Sequence, residues 1–203
     1  MNDTFFVSAP QLKRDPLGSP DPKPTLVPAE PEAPVYIVAY NQNWPALFEA
    51  ERAVLSKVLR PWLTGPIEHV GSTAVPGLPA KPVIDIMAGV HTLVTSREAL
   101  LPLRELGYQY SPYRPDLMHW FCKPSFAHRT HHLHLVPLGS PIWNDRLRFR
   151  DCLRSIPAVA NEYAALKYRL AELHRFDREA YTEGKGAFVA RILRTLTDER
   201  HLT

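Results

Sequence analysis

The run Val70-Gly71-Ser72-Thr73-Ala74-Val75-Pro76-Gly77-Leu78-Pro79-Ala80-Lys81-Pro82-Val83-Ile84-Asp85-Ile86-Met87 decides how the rest of this chain is read. A Gly-Ser turn can bring bare backbone N–H groups and a hydroxyl against a phosphate. Twelve residues separate Ser72 from Asp85, an acid set inside a run of branched apolar residues. Such a run predicts a strand, and strand parity puts Val83, Asp85 and Met87 on one face and Ile84 and Ile86 on the other. A carboxylate on a half-buried strand needs a partner or a metal ion, because burying it alone is costly. A plain turn and a structural ion pair are the simpler accounts of Gly71-Ser72 and Asp85. The prolines at 76, 79 and 82 fix φ in the segment that joins them, which predicts a stiff connection.

Outward from this stretch, strands and helices mix. Val35–Val38 reads as a first strand. A helix follows from Pro45 to Leu59 and a second strand covers Ile67–Val70. After the Asp85 strand, Ser96 is placed to cap a helix that stops at Gly107. Tyr108–Tyr113 reads as an edge strand, and Met118–Lys123 and Thr130–Pro137 as two more. From Asn144 the pattern is helical: a first helix, a second opened by Pro157, and a last one capped by Asp177 with Tyr181, Lys185, Phe188 and Ile192 on one stripe. Strands in front and helices behind predict an α+β fold, a mixed β-sheet core with C-terminal helices.

Composition bounds the function. The 203 residues are 45% apolar and 22% charged, as in globular proteins, and no apolar run approaches the roughly 20 residues of a membrane span. Two cysteines, Cys122 and Cys152, exclude a disulfide scaffold and a CxxC metal site. Eight of the 21 prolines fall in the first 34 residues, which read as an extended Pro-rich leader; residues 35–198 form the domain and 199–203 a short tail. No basic start is followed by an apolar core of signal-peptide length, so the expected compartment is the cytoplasm. The leader carries net −2 and the remainder +5. That mild excess without a basic block suits a small anionic ligand better than nucleic acid.

Five of the nine histidines lie between His119 and His134. His132 and His134 share a strand face, opposite His131, and with Asp85 they would make a two-histidine, one-carboxylate set. The plain alternative is a buried hydrogen-bonding histidine with edge residues around it. Lys81 enters the Asp85 strand, and Lys185 sits between Tyr181 and Phe188 so that its ammonium emerges beside packed apolar surface. Lys81, Arg129 and Lys185 are the phosphate candidates, with Arg150 and Lys167 behind them. Solvated side chains and surface salt bridges are the ordinary reading of all five.

The stretches Glu68–Leu78 and Lys81–Ile86 resemble the GrpB family. So do Arg129, His132–Val136, Leu147–Asp151, and Asp177 through Tyr181 to Lys185 and Phe188. The resemblance spans roughly residues 35 to 195. It implies a nucleotidyltransferase-like fold of the polymerase-β-like superfamily, and a related domain lies behind some bacterial dephospho-CoA kinases. The superfamily pattern is a Gly-Ser turn, then Asp-x-Asp or Asp-x-Glu, then a third acid on a later strand. Gly71, Ser72 and Asp85 match it. Met87 stands at the second acid, and the later strand offers His132 and His134. Two-metal phosphoryl transfer needs carboxylates on both ions, and a thioether cannot serve Mg²⁺.

Three functions follow as expectations. The first is a divergent nucleotidyl or phosphoryl transferase that binds a nucleotide with Mg²⁺ or Mn²⁺. Asp85 and His134 would be its catalytic residues, Asp85, His132 and His134 its metal ligands, and Gly71, Ser72, Lys81, Arg129 and Lys185 its ligand contacts. The second is a non-catalytic module linked to CoA metabolism. The third is an Asp/His hydrolase with a transition metal.

Overall fold

The structure, a computed structural model, describes residues 32–198. The expected tail, and all of the expected leader except its last three residues, therefore lie outside the described residues. Glu32 is within them and pairs with Arg129 at 2.7 Å and Arg178 at 2.8 Å.

Five strands make one sheet: β1 (Leu63–Val70), β2 (Ile84–Val90), β3 (Gln109–Ser111), β4 (His119–Pro124) and β5 (Arg129–Pro137). Their order is β1-β2-β5-β4-β3, with β2 and β5 parallel and the other pairs antiparallel. The rung Ile86–Leu133–Phe121 points to one face. Helix α1 (Trp44–Val58) covers that face, and Phe48 and Leu55 pack with Ile86, Leu133 and Phe121 in the main core. Fully buried residues such as Leu55, Ile86 and Leu133 each contribute about 1.5–3 kcal/mol relative to exposure. Helix α2 (Leu100–Glu105) adds Leu103 to this layer.

The opposite face carries the rungs Val70–Asp85–His132–Cys122 and Met87–His134–Trp120. The helices α3 (Pro141–Ser155), α4 (Pro157–Leu173), α5 (Arg178–Glu183) and α6 (Gly186–Asp198) gather on this side. Trp143 of α3 packs on Val70, Met87, Met118 and Val136. Cys152, Leu153, Tyr163, Phe188 and Ile192 enclose Val75 and Leu78 from the loop after β1. The α+β fold with helices gathered at the C-terminal end is as expected.

Local differences have local causes. Val35–Val38 is not a strand: among the described residues its one ladder contact is an isolated bridge between Val38 and Ala80, and no strand lies beside it. Ser96 caps nothing; it lies within a 3-10 turn (Thr95–Ala99) and its hydroxyl donates to the Thr92 carbonyl. The first C-terminal helix starts earlier than expected, at Pro141, because Ser140 accepts from the Trp143 N–H. The last expected helix is two, α5 and α6. Gly184 closes α5, and a Cβ there would collide with Leu170.

Candidate functional site

The loop between β1 and β2 builds the floor of the site. Gly71 has φ 70° and ψ −170°, a combination essentially confined to glycine. A Cβ at this position would collide with the Asp85 carboxylate, so the turn and the acid touch only because residue 71 has no side chain. The Ser72 side chain acts on the Tyr163 hydroxyl, which sets the turn beside α4. Thr73 donates to the Val83 carbonyl and contacts His69 at 3.0 Å. Arg154 gives two hydrogen bonds to the Ala74 carbonyl, and Lys167 gives one to that of Pro79. The proline-containing loop is thus held from three sides.

Asp85 sits on β2 beside His132 on β5. Its Oδ1 accepts from His132 Nδ1 at 2.8 Å. The ligating atoms of Asp85, His132 and His134 all lie within 4.8 Å of one another. His132 Nε2 is buried and has no hydrogen-bond partner among the described residues. His134 Nδ1 lies 3.3 Å from the Met118 sulfur, a weak acceptor. Burial alone would raise the Asp85 carboxyl. The His132 hydrogen bond and the charges of His132, His134 and Lys81 outweigh it and hold the group well below the usual carboxylate range. Burial pushes both imidazoles down, against the pull of Asp85. They are therefore neutral at pH 7, the form that can ligate a metal.

Two lysines flank one aromatic ring above this centre. Lys81 Nζ is 4.9 Å and Lys185 Nζ 4.4 Å from the centroid of Tyr181, itself buried on α5. Burial lowers Lys81 to about 7, helped by Lys185 and Arg178. It lowers Lys185 to about 8 against the attraction of Asp85. Lys185 was expected on the stripe of a single helix. It lies between α5 and α6 instead, yet meets Tyr181 all the same.

Gly71, Ser72, Lys81, Asp85, His132, His134 and Lys185 are therefore brought together. Arg129 is engaged elsewhere: it donates to Glu32 and to the Phe126 carbonyl and lies over Trp120. Lys167, a further phosphate candidate in the sequence with a surface salt bridge as the plain alternative, is buried against Tyr163 and the Pro79 carbonyl. Arg150 holds Glu68 at 2.6 Å and the His69 carbonyl at 3.1 Å. These three groups line a cleft of about 420 Å³ beside β1, away from Asp85, with Phe48, Arg52 and Arg154. His69 faces the core, stacked on Phe48 at 4.6 Å, and burial lowers it to about 4. Sequence reasoning missed Arg146, whose charge acts on Asp85 and His134 and which burial lowers to about 10. Its signal was its four-residue spacing from Arg150 on a helix whose Trp143 and Leu153 are core.

A mixed sheet covered by helices on both faces, with acid, imidazoles and lysines converging over β2 and β5, describes a protein of α+β class. The comparisons give the family. The GrpB protein family matches residues 34–195. A UPF0157 protein of Pseudomonas aeruginosa is 44% identical over 174 residues, 82% of this chain and 70% of its own length. The glutamate-rich protein GrpB of Alkalihalophilus pseudofirmus is 36% identical, over 78% of this chain and 94% of its own. The crystal structure of the conserved protein GrpB from Enterococcus faecalis superposes with a TM-score of 0.73 at 29% identity, covering 81% of this chain and 99% of that one. The chain belongs to the GrpB family. A protein named dephospho-CoA kinase from Mycolicibacterium paratuberculosis is 30% identical over 179 residues, and the match covers 44% of its length. No helix among the described residues is long and apolar enough to cross a membrane.

Proposed function

We propose that the chain binds a phosphorylated small molecule, with a nucleotide as the reference case, together with a divalent metal ion, at the cluster of Asp85, His132 and His134. The observation that carries this reading is a juxtaposition. Three ligating groups lie within 4.8 Å of one another, and two lysines share the Tyr181 ring beside them. One carboxylate with two neutral imidazoles is a donor set for Mn²⁺ or another first-row ion; Mg²⁺ prefers oxygen throughout. The orphaned His132 Nε2 supports the fit, because a buried imidazole nitrogen seldom goes without a partner.

Each residue then has a task. Asp85, His132 and His134 hold the ion, which when bound polarises a phosphoryl oxygen. Ser72 and the Gly71 turn receive the phosphate. Lys81 and Lys185 neutralise its charge in a partly desolvated setting where charge–charge attraction is strong. Two-metal transfer has no second acid here, since Met87 is fully buried under Trp143. Any transfer chemistry is therefore of a divergent, single-ion kind, or a metal-assisted hydrolysis. A second reading, an accessory module in CoA metabolism, is favoured by the relative named dephospho-CoA kinase.

Calorimetric titration of the full chain with ATP, with and without Mn²⁺, tests the main reading. Binding is expected to require Mn²⁺ and to weaken at least about 100-fold in Asp85→Asn, beyond the 10–100-fold loss usual for residues behind the ligands. Undiminished binding in that variant overturns it. Dephospho-CoA in the same titration separates the second reading.

A further inference from the structure

The site face of the sheet does not end at His132. Across it, in order, stand Asp85 on β2, His132 and His134 on β5, and Trp120 on β4. Adjacent strands are about 4.8 Å apart, so the column of Trp120 lies roughly 10 Å from that of Asp85, on the side away from Val70 and the Gly-Ser turn. Trp120 is 9% exposed and its ring centroid is 5.2 Å from that of His132. Two more rings flank it: Tyr113, 6.4 Å away and 51% exposed, and Phe126, 6.2 Å away and 39% exposed.

Exposed aromatics scattered singly need no explanation, but these two converge on one buried ring beside the charged Asp85 cluster. The Phe126 loop and the Trp120 ring are also braced. Arg129 donates to the Phe126 carbonyl at 2.8 Å and lies 5.3 Å over the Trp120 ring. Its other end is fastened by Glu32. Arg129, expected to bind phosphate, braces an aromatic wall instead.

We infer that Tyr113 and Phe126, seated on Trp120, form a stacking subsite for the planar ring of the ligand, which makes the ligand class nucleoside phosphates and not simple phosphate esters. The inference rests on the phosphate side of the site proposed above. Geometry supplies the match. Charge is collected at Ser72, Lys81 and Lys185, and aromatic surface lies about two strand spacings from the Asp85 column, a gap that a sugar can span. Stacking on aromatic side chains tolerates any base, so the subsite selects for a ring and not for one sequence of hydrogen-bonding groups.

The test compares ATP with inorganic tripolyphosphate, both with Mn²⁺, on the full-length chain and on Tyr113→Ala, Phe126→Ala and Tyr113→Phe. Base stacking on one aromatic residue corresponds to roughly tenfold or more in affinity. Each alanine variant is therefore expected to weaken ATP by about that factor and to leave tripolyphosphate within about twofold, while Tyr113→Phe keeps ATP binding. Both replaced side chains are exposed, and unchanged melting curves confirm that the fold is intact. If ATP binds the unaltered chain no more tightly than tripolyphosphate, or if neither alanine variant weakens ATP, the stacking subsite is overturned and the phosphate site stands. If neither anion binds, both readings fall.

Discussion

Two halves of one sheet face, separated by a single step of two residues, have opposite fates. At Asp85 and His132 the face is partly exposed, charged and backed by lysines. At Met87, one step along β2, and at Val136, two steps along β5 beyond His134, it is dry and packed against Trp143. The strands are the same; the cover differs. Helix α3 begins at Pro141 and lays Trp143 on the far half, while α4 and α5 bring Tyr163 and Tyr181 toward the near half. A methionine in place of a second acid is thus more than a lost ligand: it is the floor on which a helix rests.

The comparison breaks first at residue 87. Met87→Asp puts an unpaired carboxylate under Trp143 and is expected to cost about 3–5 kcal/mol, the usual penalty for an uncompensated buried charge. Urea unfolding measures it, and a neutral result would mean that the far half is wetter than the packing indicates. A smaller effect is expected where the near half meets its turn. Gly71→Ala forces a glycine-only conformation and a clash with Asp85. It should cost about 1–3 kcal/mol in the same assay and abolish Mn²⁺-dependent ATP binding. Unaltered binding would detach the turn from the site.

The smallest effect sharpens the electrostatics. Lys185→Gln should weaken tripolyphosphate roughly tenfold, the size of one charge-assisted hydrogen bond. Protonated lysine is the form that binds an anion. Affinity should therefore be greatest below pH 7 and fall as pH rises through about 7, where Lys81 loses its proton, and about 8, where Lys185 does. The variant should lack the upper step; a profile flat from pH 6 to 9 would remove both lysines from the site.

Much of this arrangement is legible in the chain itself. The two-residue period alone puts Asp85 with Met87 and His132 with His134, and the register then joins the two pairs. What cannot be read there depends on partners distant in sequence. Val35–Val38 has the composition of a strand, but a strand needs a neighbour, and Val38 meets only Ala80. Lys167 looks solvated until the loop carbonyl of Pro79 is brought to it from 88 residues away. The aromatic wall is hidden because Tyr113, Trp120 and Phe126 come from a strand and two loops, with no spacing that marks them as one surface. Arg129 has the right charge for phosphate, and only its geometry shows a different employment.

Arg150 has a consequence beyond the cleft it lines. β1 is an outer strand of the sheet, with no neighbour on its far side among the described residues. Exposed strand edges are templates on which another chain can add a strand, and this is a common start of aggregation. Arg150 reaches over from α3, takes the His69 carbonyl and fixes Glu68 beside it, so one long cation and its counter-ion stand where an incoming strand would have to bond. The guanidinium thereby occupies a carbonyl of the outer strand for which an added strand would have to compete.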